Sequence, residues 1–120
     1  MKVIEPAYTY RAKVASIYDG DSVRFDIDLG FGVWLHRQSV RLYGIDTPEI
    51  RGEEREEGLK SKHFVMDRLQ DDTEVILQTF KDKSGKYGRW LAIVWYKEDD
   101  KWVDLNRELI DEGFAEEYKP

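Results

Sequence analysis

The sequence predicts a mainly β protein with two to three helices, folded as a small five-stranded Greek-key barrel. Three observations lead to this prediction. Residues 22–29 alternate strictly between apolar and polar side chains, which is the pattern of a strand with one buried face. Strand-like and helical segments follow in the order of three strands, a helix, two strands and a second helix. The chain has 120 residues without a linker, repeat or low-complexity segment, so we expect a single domain, residues 1–120.

The first half of the chain carries the three strands. Residues 8–17 alternate imperfectly, which indicates a strand that contains a β-bulge. Residues 22–29 form the second strand, and the sequence Gly-Phe-Gly at 30–32 is a turn into the third, residues 33–45. Three successive antiparallel strands make a meander.

The second half begins with a helix. Residues 53–69 have apolar side chains at helical spacing. The predicted buried stripe of this helix consists of Leu59, Val65, Met66 and Leu69. Residues 73–80 and 89–96 are strands, and the second of these is apolar on both faces, which favours a central position. A shorter helix begins near Asp104 and ends at Gly113, since glycine suits the left-handed C-cap.

This size and order of elements fit the five-stranded oligonucleotide/oligosaccharide-binding barrel (OB-fold). The same strand pattern also fits an SH3-like barrel or a small α+β sheet. A fold does not by itself decide the chemistry, which has to be sought in particular residues.

Composition excludes several classes of site. The chain has no cysteine, which rules out disulfides, thiolate metal sites and a cysteine nucleophile, and two histidines leave little room for a serine–histidine triad. No apolar run approaches the ~20 residues of a membrane span, so we expect no membrane association. Residues 1–6 lack the apolar stretch of a signal peptide. We therefore expect either a cytoplasmic protein or the mature or truncated form of a secreted one.

The charge of the chain is unevenly distributed. The net charge of −6 argues against a nucleic-acid binder when taken alone. From Lys97 onward, however, nine acidic residues stand against four basic ones, so nearly all of the acidic excess lies in the C-terminal fifth. A small cationic site on an acidic body is compatible with this distribution.

Three short segments combine residue types that carry chemistry. Asp19 and Asp21 flank a glycine immediately before a strand. This arrangement is typical of a plain turn, and it also presents two oxygen ligands of the kind that hard divalent cations require.

The second segment is Arg41 followed by Asp46, Thr47 and Glu49 at the end of a predicted strand. A structural ion pair and a functional cluster explain it equally well. The third, residues 86–89, reads Lys-Tyr-Gly-Arg, which is either a hairpin turn with an exposed arginine or a phosphate clamp.

Together the three segments suit metal-assisted attack of water on a phosphodiester. A carboxylate-held cation acts as a Lewis acid on the phosphoryl oxygen. A free carboxylate orients or deprotonates the water, and two arginines stabilise the negative charge that develops on the phosphoryl group.

The order and spacing of these motifs resemble the staphylococcal nuclease (thermonuclease) family. The resemblance extends from about residue 10 to residue 115. It rests on DGDSV at 19–23, Arg41 with DTPE at 46–49, KYGR at 86–89, and DLN, Leu109 and GFA within 104–115. It implies an OB-fold barrel and a calcium-dependent phosphodiesterase that cleaves DNA and RNA to products ending in a 3′-phosphate.

The resemblance also implies a role for each matching residue. The implied calcium ligands are Asp21, Asp46 and the backbone carbonyl of Thr47, with Asp19 close to the ion through water. The implied catalytic residues are Glu49, which acts on the attacking water, and Arg41 and Arg89, which bind the scissile phosphate. The implied substrate-binding residues are Lys86 and Tyr87, which contact a nucleotide phosphate.

Family members often carry several aromatic residues after the last motif that help to hold a base, whereas here Tyr118 stands alone. The substrates expected are DNA and RNA in single-stranded or frayed form, cleaved by a monomer with bound Ca²⁺, and the sequence indicates no protein partner. The alternative is a catalytically weak or inactive nuclease-like barrel that binds nucleic acid or a protein. A plain calcium-binding module is a third interpretation, but it would not need Arg41 and Arg89.

Overall fold

The computed structural model of the chain describes residues 8–70, 73–80 and 89–118. The strands of this part of the chain are β1 (Thr9–Asp19), β2 (Ser22–Gly30), β3 (Val33–Leu42), β4 (Ile45–Asp46), β5 (Glu74–Phe80), β6 (Arg89–Glu98), β7 (Lys101–Asp104) and β8 (Glu116–Glu117). The helices are α1 (Arg55–Arg68), which follows a 3-10 turn at Gly52–Glu54, and α2 (Leu105–Asp111). No helix within the described ranges is long and apolar enough to cross a membrane.

Five strands close into a barrel. The main sheet has the order β3-β2-β1-β5-β6-β7, and β3 also pairs in parallel with β6, which joins the two sides of the sheet. The neighbours in the sheet order pair antiparallel. A closed five-stranded barrel with two helices confirms the predicted mainly β, OB-like fold.

The barrel interior is filled by alternate side chains of the strands. Phe25 from β2, Leu42 from β3 and Leu77 from β5 are fully buried there. Asp104 begins α2 as predicted, since its carboxylate accepts a hydrogen bond from the backbone N–H of Arg107. The β1 bulge is also confirmed, because the pairing with β2 shifts register within the strand.

The predicted buried stripe of α1 is partly wrong. Val65 and Leu69 are buried, whereas Met66 is 46% exposed. Phe64 instead packs against the core, with its ring centroid 4.6 Å from that of Phe114. Met66 is exposed because α1 packs on the barrel through the face that carries Gly58, Ser61 and Val65, and Met66 lies outside that face.

The predicted third strand, residues 33–45, is in fact two strands. Strand β3 ends at Leu42, and Gly44 turns the chain with a φ of +79° before β4 begins. Glycine adopts this left-handed conformation at little steric cost, and the tight turn that it makes here separates the two strands. The turn directs Asp46, at the end of β4, back toward Arg41 on β3.

Candidate active site

The turn between β1 and β2 forms the floor of the site. Asp19 and Asp21 are 7% and 4% exposed, so both carboxylates of the predicted motif are buried. A Cβ atom on Gly20 would lie 2.9 Å from side-chain atoms of both Ser61 and Thr47. The turn therefore packs directly against α1 and the segment after β4, and only glycine fits between them.

Arg41 joins the two predicted metal ligands. Its Nη1 donates a hydrogen bond to Asp21 Oδ2 at 3.1 Å, and its Nη2 donates to Asp46 Oδ1 at 3.3 Å. Nη2 also donates to the backbone carbonyl of Ile45 at 3.1 Å. The side chain of Arg41 is 17% exposed, so its guanidinium is largely shielded from solvent. The pairing of Ser22 with Arg41 across β2 and β3 brings these groups together.

Thr47 is tied to the same aspartate. Its backbone N–H donates to Asp21 Oδ2 at 3.1 Å, so one carboxylate oxygen accepts bonds from both Thr47 and Arg41. Within the described part of the chain, the buried Thr47 Oγ1 has no hydrogen-bond partner. Asp46, by contrast, is 55% exposed and opens the site to solvent.

The two buried aspartates concentrate negative charge. Burial and the neighbouring Asp21 carboxylate raise the pKa of Asp19 to about 7. The backbone N–H of Asp21 donates to Asp19 Oδ1 at 3.1 Å and favours the ionised form, but this bond does not outweigh the burial. The floor of the site therefore favours a bound positive charge.

Glu49 lies on the loop between β4 and α1, two residues after Thr47. Its residue is exposed, and its backbone carbonyl packs against α1. A Cβ atom on Gly58 would lie 2.2 Å from the carbonyl oxygen of Glu49 and 2.8 Å from that of Pro48. Because Gly58 has no side chain, α1 packs directly against the loop that carries Glu49, and this contact fixes the position of the loop. The sequence analysis missed this residue, although an isolated glycine within a helical pattern is a signal of close packing.

Replacing Gly58 by alanine tests this contact. We expect a net loss of about 2 kcal/mol of unfolding free energy, because a Cβ that meets backbone oxygens puts the overpacking cost near about 3 kcal/mol, of which the higher helix propensity of alanine offsets about 1 kcal/mol. Denaturant unfolding measures this loss, with His63→Ala on an exposed position of the same helix as the control. A Gly58→Ala chain as stable as its parent would show that the loop does not depend on the contact.

Three of the predicted residues are described incompletely or not at all. The backbone of Arg89 pairs with Ser39 in the parallel β3–β6 ladder, two positions before Arg41 pairs with Leu91. This register puts the two arginines on adjacent strands at the same end of the barrel. Lys86 and Tyr87 lie outside the described residues.

The oxygen donors present are compatible with a hard cation. Asp21 and Asp46 contact the same guanidinium, so a single positive charge can reach both carboxylates. The described residues contain no cluster of three or more His, Cys, Asp or Glu side chains that could hold a metal ion. A cation bound here would therefore need further oxygen ligands from backbone carbonyls, such as that of Thr47, and from water.

The chain is similar to a known protein family and to two other proteins. The family model described as staphylococcal nuclease homologue matches residues 39–120. An uncharacterized protein of Methanocaldococcus jannaschii is 30% identical over 129 residues, covering 91% of this chain and 59% of the relative. A thermonuclease of Staphylococcus hyicus is 30% identical over 108 residues, covering 88% of this chain and 54% of the relative.

The chain thus spans little more than half the length of each of these relatives. The family match includes β4, both helices and the segment from Arg41 to Glu49, whereas the turn at Asp19 and Asp21 precedes it. The barrel places that turn directly against the matched segment, through the bonds that Asp21 accepts from Arg41 and Thr47. Fold, site and family model together show that the chain belongs to the staphylococcal nuclease family.

Proposed function

We propose that this chain hydrolyses phosphodiester bonds of DNA and RNA by attack of water on phosphorus, leaving a 3′-phosphate on one product and a 5′-hydroxyl on the other. The observation that carries the proposal is the arrangement around Arg41. A single guanidinium contacts a buried aspartate and a half-exposed one at the open end of the barrel. Groups that bind an anion and groups that bind a cation thus share one site.

We assign a calcium ion to Asp21, Asp46 and the backbone carbonyl of Thr47, with Asp19 acting through water. Calcium tolerates irregular shells of oxygen ligands, which suits two carboxylates completed by carbonyl and water. When bound, the ion supplies Lewis-acid polarisation of a phosphoryl oxygen. The acidic floor formed by Asp19 and Asp21 favours its binding.

Arg41 can bind the phosphate without leaving its present partners. A guanidinium carries five N–H donors, and the three hydrogen bonds to Asp21, Asp46 and the Ile45 carbonyl leave two donors for phosphate oxygens. These donors stabilise the charge that develops on the phosphoryl group. We assign the same task to Arg89, and contacts to a neighbouring nucleotide phosphate to Lys86 and Tyr87.

Glu49 is assigned to the attacking water. Its exposed position on the loop lets a water molecule reach the carboxylate, which orients it and accepts its proton as the bond to phosphorus forms. The bond from phosphorus to the 5′-oxygen then breaks, and that oxygen takes up a proton from solvent and leaves as a hydroxyl. Since the chain carries a net charge of −6, long-range attraction to nucleic acid is weak, and short-range contacts must supply most of the affinity.

Chelation of calcium tests the proposal. Single-stranded DNA and RNA should be cleaved in the presence of calcium and left intact in excess chelator. The thermal unfolding transition should persist in chelator, because the buried apolar core lies inside the barrel and does not include the site carboxylates. Full cleavage in chelator would refute the metal-assisted mechanism.

The binding alternative has a distinct outcome in the same experiment. A chain that retains single-stranded oligonucleotide in a filter assay, yet leaves it uncut with calcium, would be a nuclease-like binding module. The complete set of Asp21, Arg41, Asp46 and Glu49 favours cleavage over this outcome.

A further inference from the structure

The segment after α2 returns to the site as a short strap, residues 113–118. Gly113 reverses the chain with a φ of +81°, and the N–H groups of Phe114 and Ala115 both donate to the Leu109 carbonyl. The Phe114 carbonyl accepts a hydrogen bond from Ser61 Oγ at 2.7 Å. The strap is thus fixed to both helices before it reaches the site.

The strap then pairs with the strand that carries Asp46. Strand β8 is antiparallel to β4, with Glu116 opposite Asp46. The backbone N–H of Tyr118 donates to the Gly44 carbonyl at 2.9 Å. These backbone contacts hold Tyr118 beside the turn between β3 and β4.

The ring of Tyr118 covers the guanidinium of Arg41. The Cζ atom of Arg41 lies 5.3 Å from the ring centroid, within the range of cation–π contacts. The hydrogen bonds of Nη1 and Nη2 to Asp21 and Asp46 fix the edge of the guanidinium. The Arg41 side chain is 17% exposed and Tyr118 is 47% exposed, so the guanidinium is largely shielded from water while the outer surface of the ring stays accessible.

We propose that Tyr118 is a positioning residue for Arg41. Its ring restricts the guanidinium to one orientation, so that an N–H donor left free on Nε or Nη1 stays directed at the incoming phosphate. This inference rests on the proposed function and extends it, because it gives Tyr118, the exposed aromatic residue of the strap, a task other than holding a base. A rigid guanidinium loses less conformational freedom when it binds the transition state than a free one does.

The expected effect is on turnover rather than on substrate affinity. Replacing Tyr118 by leucine should lower kcat about 3- to 10-fold with little change in KM, as loss of one partly exposed cation–π contact implies. Tyr118→Phe keeps the ring and should retain most of the parental kcat. Tyr8→Leu, at an exposed tyrosine of the described chain, is the matched control.

A double-mutant cycle separates positioning from base stacking. Lysine at position 41 lacks the planar group that the ring covers, so in an Arg41→Lys chain the change Tyr118→Leu should have less than half its effect on kcat, expressed as log ratio. Base stacking predicts the opposite pattern: a rise in KM that varies with the base at the cleavage site and persists in the Arg41→Lys chain. Additive effects, or a Tyr118→Phe chain as slow as Tyr118→Leu, would overturn the positioning role.

A measurement that needs no cleavage keeps this test separate from that of the proposed function. The ring current of Tyr118 should shift the side-chain N–H resonances of Arg41 in an NMR spectrum of the free chain. Tyr118→Leu should move these resonances toward ordinary arginine values, while Tyr118→Phe leaves them in place. If the parent fails to cleave any substrate, the proposed function fails, and the positioning role in catalysis fails with it. If the parent cleaves but its Arg41 resonances are the same in Tyr118→Leu, only the inference about Tyr118 is wrong.

Discussion

An Arg41→Lys chain should turn over substrate about 100-fold more slowly than the parent, or more slowly still, which is the scale of losing one transition-state donor. Lysine keeps the positive charge, but its ammonium group lacks the planar fork of a guanidinium. Arg41 uses that fork to reach Asp21, Asp46 and the Ile45 carbonyl at once, with donors left for a phosphate. The ammonium group of lysine has three N–H donors, and these three acceptors would use them all, which leaves no donor for the phosphate.

The same change removes structural contacts, so stability has to be measured beside activity. Asp21 is buried, and a weaker partner for its carboxylate should lower the unfolding temperature by a few degrees. Arg11→Lys is the control, because Arg11 is 72% exposed and faces Glu74 away from the site. We expect Arg89→Lys to show a comparable loss of turnover. Parental cleavage rates in both the Arg41→Lys and Arg89→Lys chains would mean that neither arginine clamps a phosphate.

Glu49→Gln should cut turnover about 10²- to 10⁴-fold while calcium still binds, because the amide keeps the shape of the side chain but cannot accept a proton from water. Asp46→Asn should have the other signature, a weaker calcium affinity, since a neutral amide oxygen is a poorer ligand than a carboxylate. Calorimetric titration of calcium with a nucleotide diphosphate present distinguishes the two.

Asp46→Asn is a cleaner test of the metal assignment than Asp21→Asn. Asp46 is half-exposed, and its Oδ1 pairs with Arg41, whereas Asp21 also accepts the Thr47 N–H and is part of the buried floor. Asp21→Asn should therefore weaken calcium binding and destabilise the fold together. A Glu49→Gln chain that loses calcium as completely as Asp21→Asn would show that Glu49 is a metal ligand rather than the partner of the water.

Much of the barrel follows from local pattern. Strict alternation in β2 predicts that Val23, Phe25 and Ile27 are buried, and all three are. The same alternation fails at Leu29, which is 40% exposed. Beyond Ile27 the β2–β3 pairing changes register. From that point the hairpin extends beyond the buried core. Alternation indicates which side chains of a strand share a face, but not how far along the strand the rest of the protein covers that face.

The sequence predicts which residues form the site, but it does not predict which of them contact one another. The motifs place Asp21, Arg41 and Asp46 in the chain, yet only the closed barrel shows that one guanidinium joins both carboxylates. The contribution of Gly58 depends on how α1 packs against the loop after β4, and that of Tyr118 depends on how the strap pairs with β4. Such contacts are set by tertiary packing, and local periodicity in the sequence does not predict them.

The most direct test of the central claim is an analysis of product ends. The parent and the Glu49→Gln chain are incubated with 5′-labelled single-stranded DNA and RNA in calcium, and the fragments are resolved before and after treatment with a 3′-phosphatase. We expect the parent to give fragments whose mobility changes on phosphatase treatment, and the variant to give few or none. An uncut substrate with the parent, or equal cleavage by both chains, would contradict the assignment of phosphodiester hydrolysis to this site.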